Sequence, residues 1–403
     1  MHARASATFV LLLLLPAMLV AVGCNRIGHS QSEGGEATGP APDLLKEAQG
    51  GDPESQFRVG LAYELGEGAD PDRDAARKWY GKAADQGHAR AQSALGQLLV
   101  SEEGADARLA EGVRWIQQAA QQGDPSAWYR LGELYRTGRG IEPDPVQAVE
   151  WWKKAADAGY GDAEFSLALA YHQGLGVEQD DEAAIRLFRQ AAERGHVAAQ
   201  HQLAEMYREG SGVTQSSTKA VSWYRQAAEA GHAPSQAQLG YMYATGDGVS
   251  PKYSEAARWS QMAADQGDAD GCNNLAVLYL KGLGVAQDFQ QALSWYRKAA
   301  EQGHASAQNM LGTLYFSGQG VPRDLAQAEI WWRKAAEQDY APAQYNLGGM
   351  YSRQLSTTLS REEALEWLGQ AAAQGHERAI GELAELESQA TMAEAEAPIL
   401  EAS

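Results

Sequence analysis

The sequence is nine rounds of one pattern. A glycine returns every 36 residues, at Gly51, Gly87, Gly123, Gly159, Gly195, Gly231, Gly267, Gly303 and Gly375, and only Asp339 interrupts the series. A tryptophan keeps the same register at Trp79, Trp115, Trp151, Trp223, Trp259, Trp295, Trp331 and Trp367, with Leu187 the single substitute. A fixed period of this size is the signature of a solenoid, in which each unit buries its apolar face only by stacking on its neighbours.

The unit can be built from spacing alone. After Gly303, the residues Ala307, Leu311, Leu314 and Tyr315 recur at helical intervals and predict an amphipathic helix. Gly318 and Gly320 end it, since glycine tolerates positive φ. Asp324 then offers an N-cap to a second helix with Ala328, Trp331, Trp332, Ala335 and Ala336 on its apolar side. The next boundary glycine closes that helix at its C′ position. Each unit is therefore helix, tight loop, helix. Paired alanines at 83/84, 119/120, 155/156, 191/192, 227/228, 263/264, 299/300, 335/336 and 371/372 let helices approach closely. The tryptophans, together with a tyrosine at 63, 135, 171, 207, 243, 279, 315 and 351, are expected to fill the larger gaps between units.

The shared pattern, A-x-x-x-L-G/A-x-x-Y-x-x-G-x-G-V-x-x-D-x-x-x-A-x-x-W-x-x-x-A-A-x-x-G, spans residues 51 to 374 and resembles the Sel1-like repeat family, relatives of the tetratricopeptide repeat. The resemblance implies an all-α, right-handed α-solenoid of nine 36-residue helix-loop-helix repeats plus a C-terminal capping helix. Two copies depart from the pattern: Glu102 replaces the first loop glycine of one, and Gln354 and Ser356 replace both in another.

Residues 1–23 have Arg4, an apolar run from Phe9 to Val20 broken by Pro16, and small residues ahead of Cys24. The run is short for a spanning helix, which favours a secretory signal. Ala21-Val22-Gly23-Cys24 looks like a bacterial lipobox with Ala21 where Leu is more usual, which would make Cys24 the lipidated first residue of the mature chain. An ordinary cleaved signal and an uncleaved anchor remain the alternatives. Asn25 in place of the Asp that retains lipoproteins at the inner membrane implies the periplasmic face of the outer membrane. Residues 24–42 are rich in Gly, Ser and Pro and read as a flexible tether with a reach of about 20 to 25 Å. The solenoid is placed at 43–387, and 388–403, which lacks periodicity, is expected to be a disordered tail.

The formal charge is −20, and removing the segment before Cys24 deletes one cation, Arg4, leaving −21. Such acidity argues against nucleic acid, which needs basic stripes. With Cys24 lipidated, Cys272 is the remaining thiol, so there is no disulfide framework.

Short motifs for chemistry are weak here. Ser216-Ser217-Thr218-Lys219 fits S-x-x-K, but it falls between the loop and second helix of a repeat and no K-T-G accompanies it. Asp70, Asp72 and Asp74 open like a calcium loop, yet Ala75 takes the turn glycine's place and Gly81 that of the bidentate Glu. His88, His196, His232, His304 and His376 follow boundary glycines, and units one helix-packing distance apart cannot bring their imidazoles to one zinc. They are expected to be capping or boundary-loop residues. No catalytic residue, metal site or cofactor is assigned.

Function is sought instead where the nine copies differ. On the first helix, positions at i, i+4 and i+7 share one face and vary freely. They include Tyr129/Glu133/Arg136, Phe165/Leu169/His172, His201/Glu205/Arg208 and Tyr241, a mix of aromatic and charged groups suited to recognition. In the tetratricopeptide-like architecture that the family resembles, first helices line the concave wall. The expectation is a non-enzymatic adaptor that docks a protein or peptide there. Binding of cell-wall polysaccharide and a β-lactam-hydrolysing envelope enzyme are the competing readings.

Overall fold

The computed structural model describes residues 40–67, 70–102, 106–356 and 358–400. Among them are twenty helices and no strand. A short helix α1 (Pro42–Gln49) precedes nine hairpins. These are α2 (Pro53–Leu65) with α3 (Arg73–Asp85), α4 (Ala89–Ser101) with α5 (Asp106–Gln121), and α6 (Pro125–Thr137) with α7 (Pro145–Asp157). There follow α8 (Gly161–Gln173) with α9 (Asp181–Glu193), α10 (Val197–Glu209) with α11 (Ser217–Glu229), and α12 (Ala233–Thr245) with α13 (Tyr253–Asp265). The last three are α14 (Ala269–Lys281) with α15 (Phe289–Glu301), α16 (Ala305–Ser317) with α17 (Leu325–Ala336), and α18 (Ala341–Ser352) with α19 (Arg361–Ala373), before a terminal α20 (Glu377–Leu400). The chain is the all-α solenoid that the period implies.

Caps set the helix ends. Asp72, Asp144, Asp180, Asp288 and Asp324 accept from backbone N–H groups at the starts of second helices, and Ser216 and Ser360 do the same. First helices other than α8 and α18, which start at Tyr160 and Tyr340 without a side-chain cap, are capped by the residue at the unit boundary. His88 Nδ1 accepts from Ala91 N–H at 3.1 Å, and His196, His232, His304 and His376 act alike, which is the capping role expected of them. The two loop glycines divide their work. The first, such as Gly282 at φ 67°, is a left-handed C-cap. At the second, Gly284, a Cβ would lie 2.2 Å from the Tyr253 carbonyl oxygen of the preceding repeat, so only glycine lets the units close up. Where glycine is missing, other residues take the left-handed turn: Gln354 at φ 55° and Asp339 at φ 59°.

Several hairpins are locked by a glycine opposite a large residue. Gly60 faces Tyr80, Gly132 faces Trp152, Gly312 faces Trp332 and Gly348 faces Leu368, each so close that a Cβ would come within 2.7 Å of the partner side chain. Gly96 meets Gly112, where a Cβ on Gly96 would stand 2.7 Å from the Gly112 oxygen. The first alanine of every pair, from Ala83 to Ala371, is fully buried.

The tryptophan register does only part of the filling. Only Trp259 is buried; the other repeat tryptophans are half-buried, Trp115, Trp151, Trp223, Trp295, Trp331 and Trp367 against the core clusters. The contact inside the hairpin is filled by the next residue: Tyr80, Ile116, Trp152, Phe188, Tyr224, Tyr296, Trp332 or Leu368. Neighbouring residues on a helix point about 100° apart, so one of them faces the partner helix and the other its rim. The rim tryptophans carry lysines over their rings, Lys82 on Trp79, Lys154 on Trp151, Lys298 on Trp295 and Lys334 on Trp331, at 3.8 to 4.2 Å.

Glutamines latch the two helices of a unit to each other, and the Nε2 of the first-helix glutamine also reaches an alanine carbonyl oxygen of the preceding unit, as Gln92 does to Ala84 at 3.2 Å. Gln86, Gln122, Gln266, Gln338 and Gln374 each donate to a glutamine Oε1 thirty residues earlier, at Gln56, Gln92, Gln236, Gln308 and Gln344. Ala230 breaks the series, and the buried Gln200 Oε1 has no partner among the described residues. Cys272 takes a latch position as a fully buried thiol, 3.9 Å from the Ala264 oxygen, and burial pushes its pKa up.

The curvature follows from which helices meet. The closest approaches between alternate helices are all between first-type helices, α12 with α14, α4 with α6 and α18 with α20, while no successive pair of second helices comes as close. First helices therefore line the inner wall.

Helix α20 runs on to Leu400, into the stretch 388–403 expected to be a disordered tail; residues 401–403 lie outside the described residues.

Candidate functional site

The inner wall is not uniform, and its first half satisfies itself. Tyr129 packs on Tyr160 of the next repeat with ring centroids 5.3 Å apart, and Phe165 stacks on His196 at 4.9 Å. His201 lies 4.8 Å from the His232 ring and 5.6 Å from Tyr224. These three lead positions thus join one unit to the next, which is why they are only half-exposed. Arg136 pairs with Glu133 at 2.8 Å, and Arg208 pairs with Glu205, which also accepts from the Tyr224 hydroxyl. Burial works against the charge on Arg208, but Glu205 outweighs it and holds the guanidinium pKa above its ordinary value. His172 Nδ1 lies 2.7 Å from Asp181, and Leu169 is half-buried. Tyr241, by contrast, is 51% exposed.

The pair His201 and His232 is the most perturbed cluster. Burial, then the neighbouring His201, pushes the His232 pKa down to about 4, and burial lowers His201 as well, with Glu205 and Arg208 acting on it in opposite senses. A folded pKa below the unfolded value of ~6.5 means stability that is present above pH 6.5 and lost as pH falls towards 4. Allowing for solvent screening, the loss should be about 1 to 2 kcal/mol. His232→Asn keeps a capping acceptor but cannot titrate, so melting scans from pH 7 to pH 4 should show a shallower decline for the variant than for the wild type.

The second half of the wall is of another kind, and reading residues 129 to 208 as the recognition surface passes over it. Helices α12, α16 and α18 contain no Asp, Glu, Lys or Arg, and α14 contains only Asp270 and Lys281. Asp270 is taken up by His304 at 3.0 Å. Val277, Leu280 and Phe316 stand half-exposed along this stretch beside Tyr241. The signal was present in the sequence as four nearly charge-free helices in a chain of net charge −20.

Catalytic chemistry finds no such support. Ser216 accepts from the Lys219 N–H as the N-cap of α11. Asp72 caps α3 and Asp74 pairs with Arg77. No group of three or more His, Cys, Asp or Glu side chains among the described residues is placed to hold a metal ion. No helix among them is long and apolar enough to cross a membrane. Cys24 and the segment 1–23 lie outside the described residues, as does the tether except its last three positions.

Comparison with known proteins accords with this architecture. The family model described as the Sel1 repeat matches nine consecutive segments, from residues 53–88 through 341–376. A protective antigen present in uropathogenic Escherichia coli strains, displaying an SLR fold, is 35% identical, with a TM-score of 0.72 over 86% of this chain and 74% of that one. A Sel1 repeat protein from Oxalobacter formigenes is 32% identical, with a TM-score of 0.57 over 77% of this chain and 89% of that one. Comparison with curated proteins gives no match. With all nine units matched and their hairpins superposable on those of solved relatives, the chain belongs to the Sel1 repeat family.

Proposed function

We propose that this chain is a non-enzymatic scaffold that docks a protein or peptide on its inner wall, held by a lipid on Cys24 at the periplasmic face of the outer membrane. The observation that carries the docking is the division of labour within the repeat. The first alanine of each pair is constant and buried in all nine units, while wall positions such as Glu133, Leu169, Glu205 and Tyr241 change from unit to unit. The Sel1 solenoid, typically a protein-interaction scaffold, supports the same reading. Scaffolding needs no reactive group, and the buried polar chemistry of this chain goes into caps and latches. The lipobox-like Ala21-Val22-Gly23-Cys24 supports the anchor.

The test is site-specific photocrosslinking in intact cells from position 241 on the wall, with position 330 on the second helix α17 as the outer control. Both side chains are exposed, Tyr241 at 51% and Ile330 at 46%. Discrete adducts are expected from position 241 alone; none there, or equal adducts from both, would reject the inner wall as the docking surface. In the same cells Cys24→Ser should move the protein from the membrane to the soluble periplasmic fraction.

A further inference from the structure

The seventh repeat leaves a tyrosine hydroxyl unanswered. Tyr296 is fully buried, yet its hydroxyl has no hydrogen-bond partner among the described residues, and Asn273 Oδ1 of the same repeat is likewise buried and unpartnered. Two other repeats show how the same hydroxyl is normally satisfied. Tyr80 donates to Glu64 at 2.6 Å, and Tyr224 donates to Glu205. Shifted by the repeat period, the positions of Glu64 and Glu205 become Leu280 and Val277. An orphaned buried polar group is destabilising, and a local rule broken without structural gain points to a surface kept for another purpose.

That purpose is legible in the surroundings. Leu280 and Val277 lie between the exposed Tyr241 and the half-buried Phe316, on the run of first helices that is nearly free of charge. A carboxylate at either position would complete the hydrogen bond of Tyr296 but would put a charge in the middle of this wall. A charged ligand segment would lose hydration against Tyr241, Val277 and Leu280, which offer it no counter-charge, whereas an uncharged one loses little. The basic groups near this stretch are few: Lys281 in the last turn of α14, Arg323 5.6 Å from the Phe316 ring, and Arg353, 3.6 Å from Glu382.

We infer that the wall of repeats six to eight is the docking site for an uncharged peptide segment with aliphatic or aromatic side chains, anchored against Tyr241, Val277, Leu280 and Phe316. This rests on the scaffold reading and narrows it. Aliphatic anchors fit a peptide better than a glycan strand, whose hydroxyls would meet few exposed partners at Val277 and Leu280.

Three fluorescein-labelled sixteen-residue peptides test it, all with one pattern of Leu and Phe and with spacers of Gln, Glu or Lys. Anisotropy titration of the full mature chain should show the Gln peptide binding at least tenfold more tightly than the other two. Leu280→Glu should weaken that binding at least tenfold while raising the melting temperature, because it restores the carboxylate that Tyr80 finds in Glu64. Tyr241→Arg, at an exposed position, should weaken binding with the melting temperature unchanged and keeps the test open if Leu280→Glu folds badly. The pair Arg136→Ala and Arg208→Ala should change binding less than twofold. Equal or tighter binding of a charged peptide, or no measurable binding of the Gln peptide, would overturn the inference. Loss of binding in the arginine variant alone would also overturn it, while leaving inner-wall docking by the solenoid intact.

Discussion

Replacing Trp332 with alanine should cost about 3 to 5 kcal/mol, whereas the same change at its neighbour Trp331 should cost about 1 kcal/mol. The two differ by one step along α17. Trp332 is 3% exposed, donates from Nε1 to the Asn309 carbonyl oxygen at 3.0 Å, and fills the space left by Gly312. Its removal leaves a large cavity, while the Asn309 carbonyl keeps the Thr313 hydroxyl at 2.9 Å. Trp331 is half-exposed and holds Lys334 over its ring at 4.2 Å, a contact that water partly replaces. Each unit of a solenoid touches only its neighbours, so the damage should also be local. Hydrogen exchange in Trp332→Ala should accelerate in α16 to α19 and leave α2 to α9 near their wild-type rates. Equal destabilisation by the two variants would show that the periodic tryptophan, and not the residue after it, fills the hairpin.

Gly96→Val is expected to destabilise at least as much, by 3 kcal/mol or more. At most hairpins the residue facing the helix glycine is a side chain, which can rotate away from an added methyl. Between α4 and α5 backbone stands there too: a Cβ on Gly96 would meet Ile116 Cγ1 at 2.6 Å, but also the Gly112 oxygen at 2.7 Å and the Ile116 nitrogen at 3.1 Å. The helices would have to separate, exposing Leu98, Leu99 and Ile116. Thermal melting and exchange at α4 and α5 would measure this; Gly381→Val, on the open side of α20 where an added Cβ meets nothing, should change stability by no more than about 1 kcal/mol. A melting curve for Gly96→Val that overlays the wild type would mean that the two helices do not approach as closely as described.

The candidate site was harder to read in the sequence than the fold, for a reason visible at Phe165 and His201. Both lie on the variable face and both look like free recognition groups in the sequence. Their rings are spent on His196, Phe188, Tyr224 and His232 of neighbouring elements. Likewise, Arg136 and Arg208 are neutralised by acids one turn away on their own helices. The free part of the wall contains residues that attract less notice, Val277 and Leu280, and their significance depends on a tyrosine in the next helix.

By itself the sequence determined the unit, the number of units, the caps and the loop turns, because each depends on residues a few positions apart whose conformational preferences act locally. The tertiary structure decided which of two adjacent large residues enters the hairpin, which variable residues serve as mortar between units, and which buried hydroxyl goes unanswered. Those outcomes turn on the angle and distance at which one helix meets another, and a rotation of one residue, about 100°, exchanges the inside for the rim.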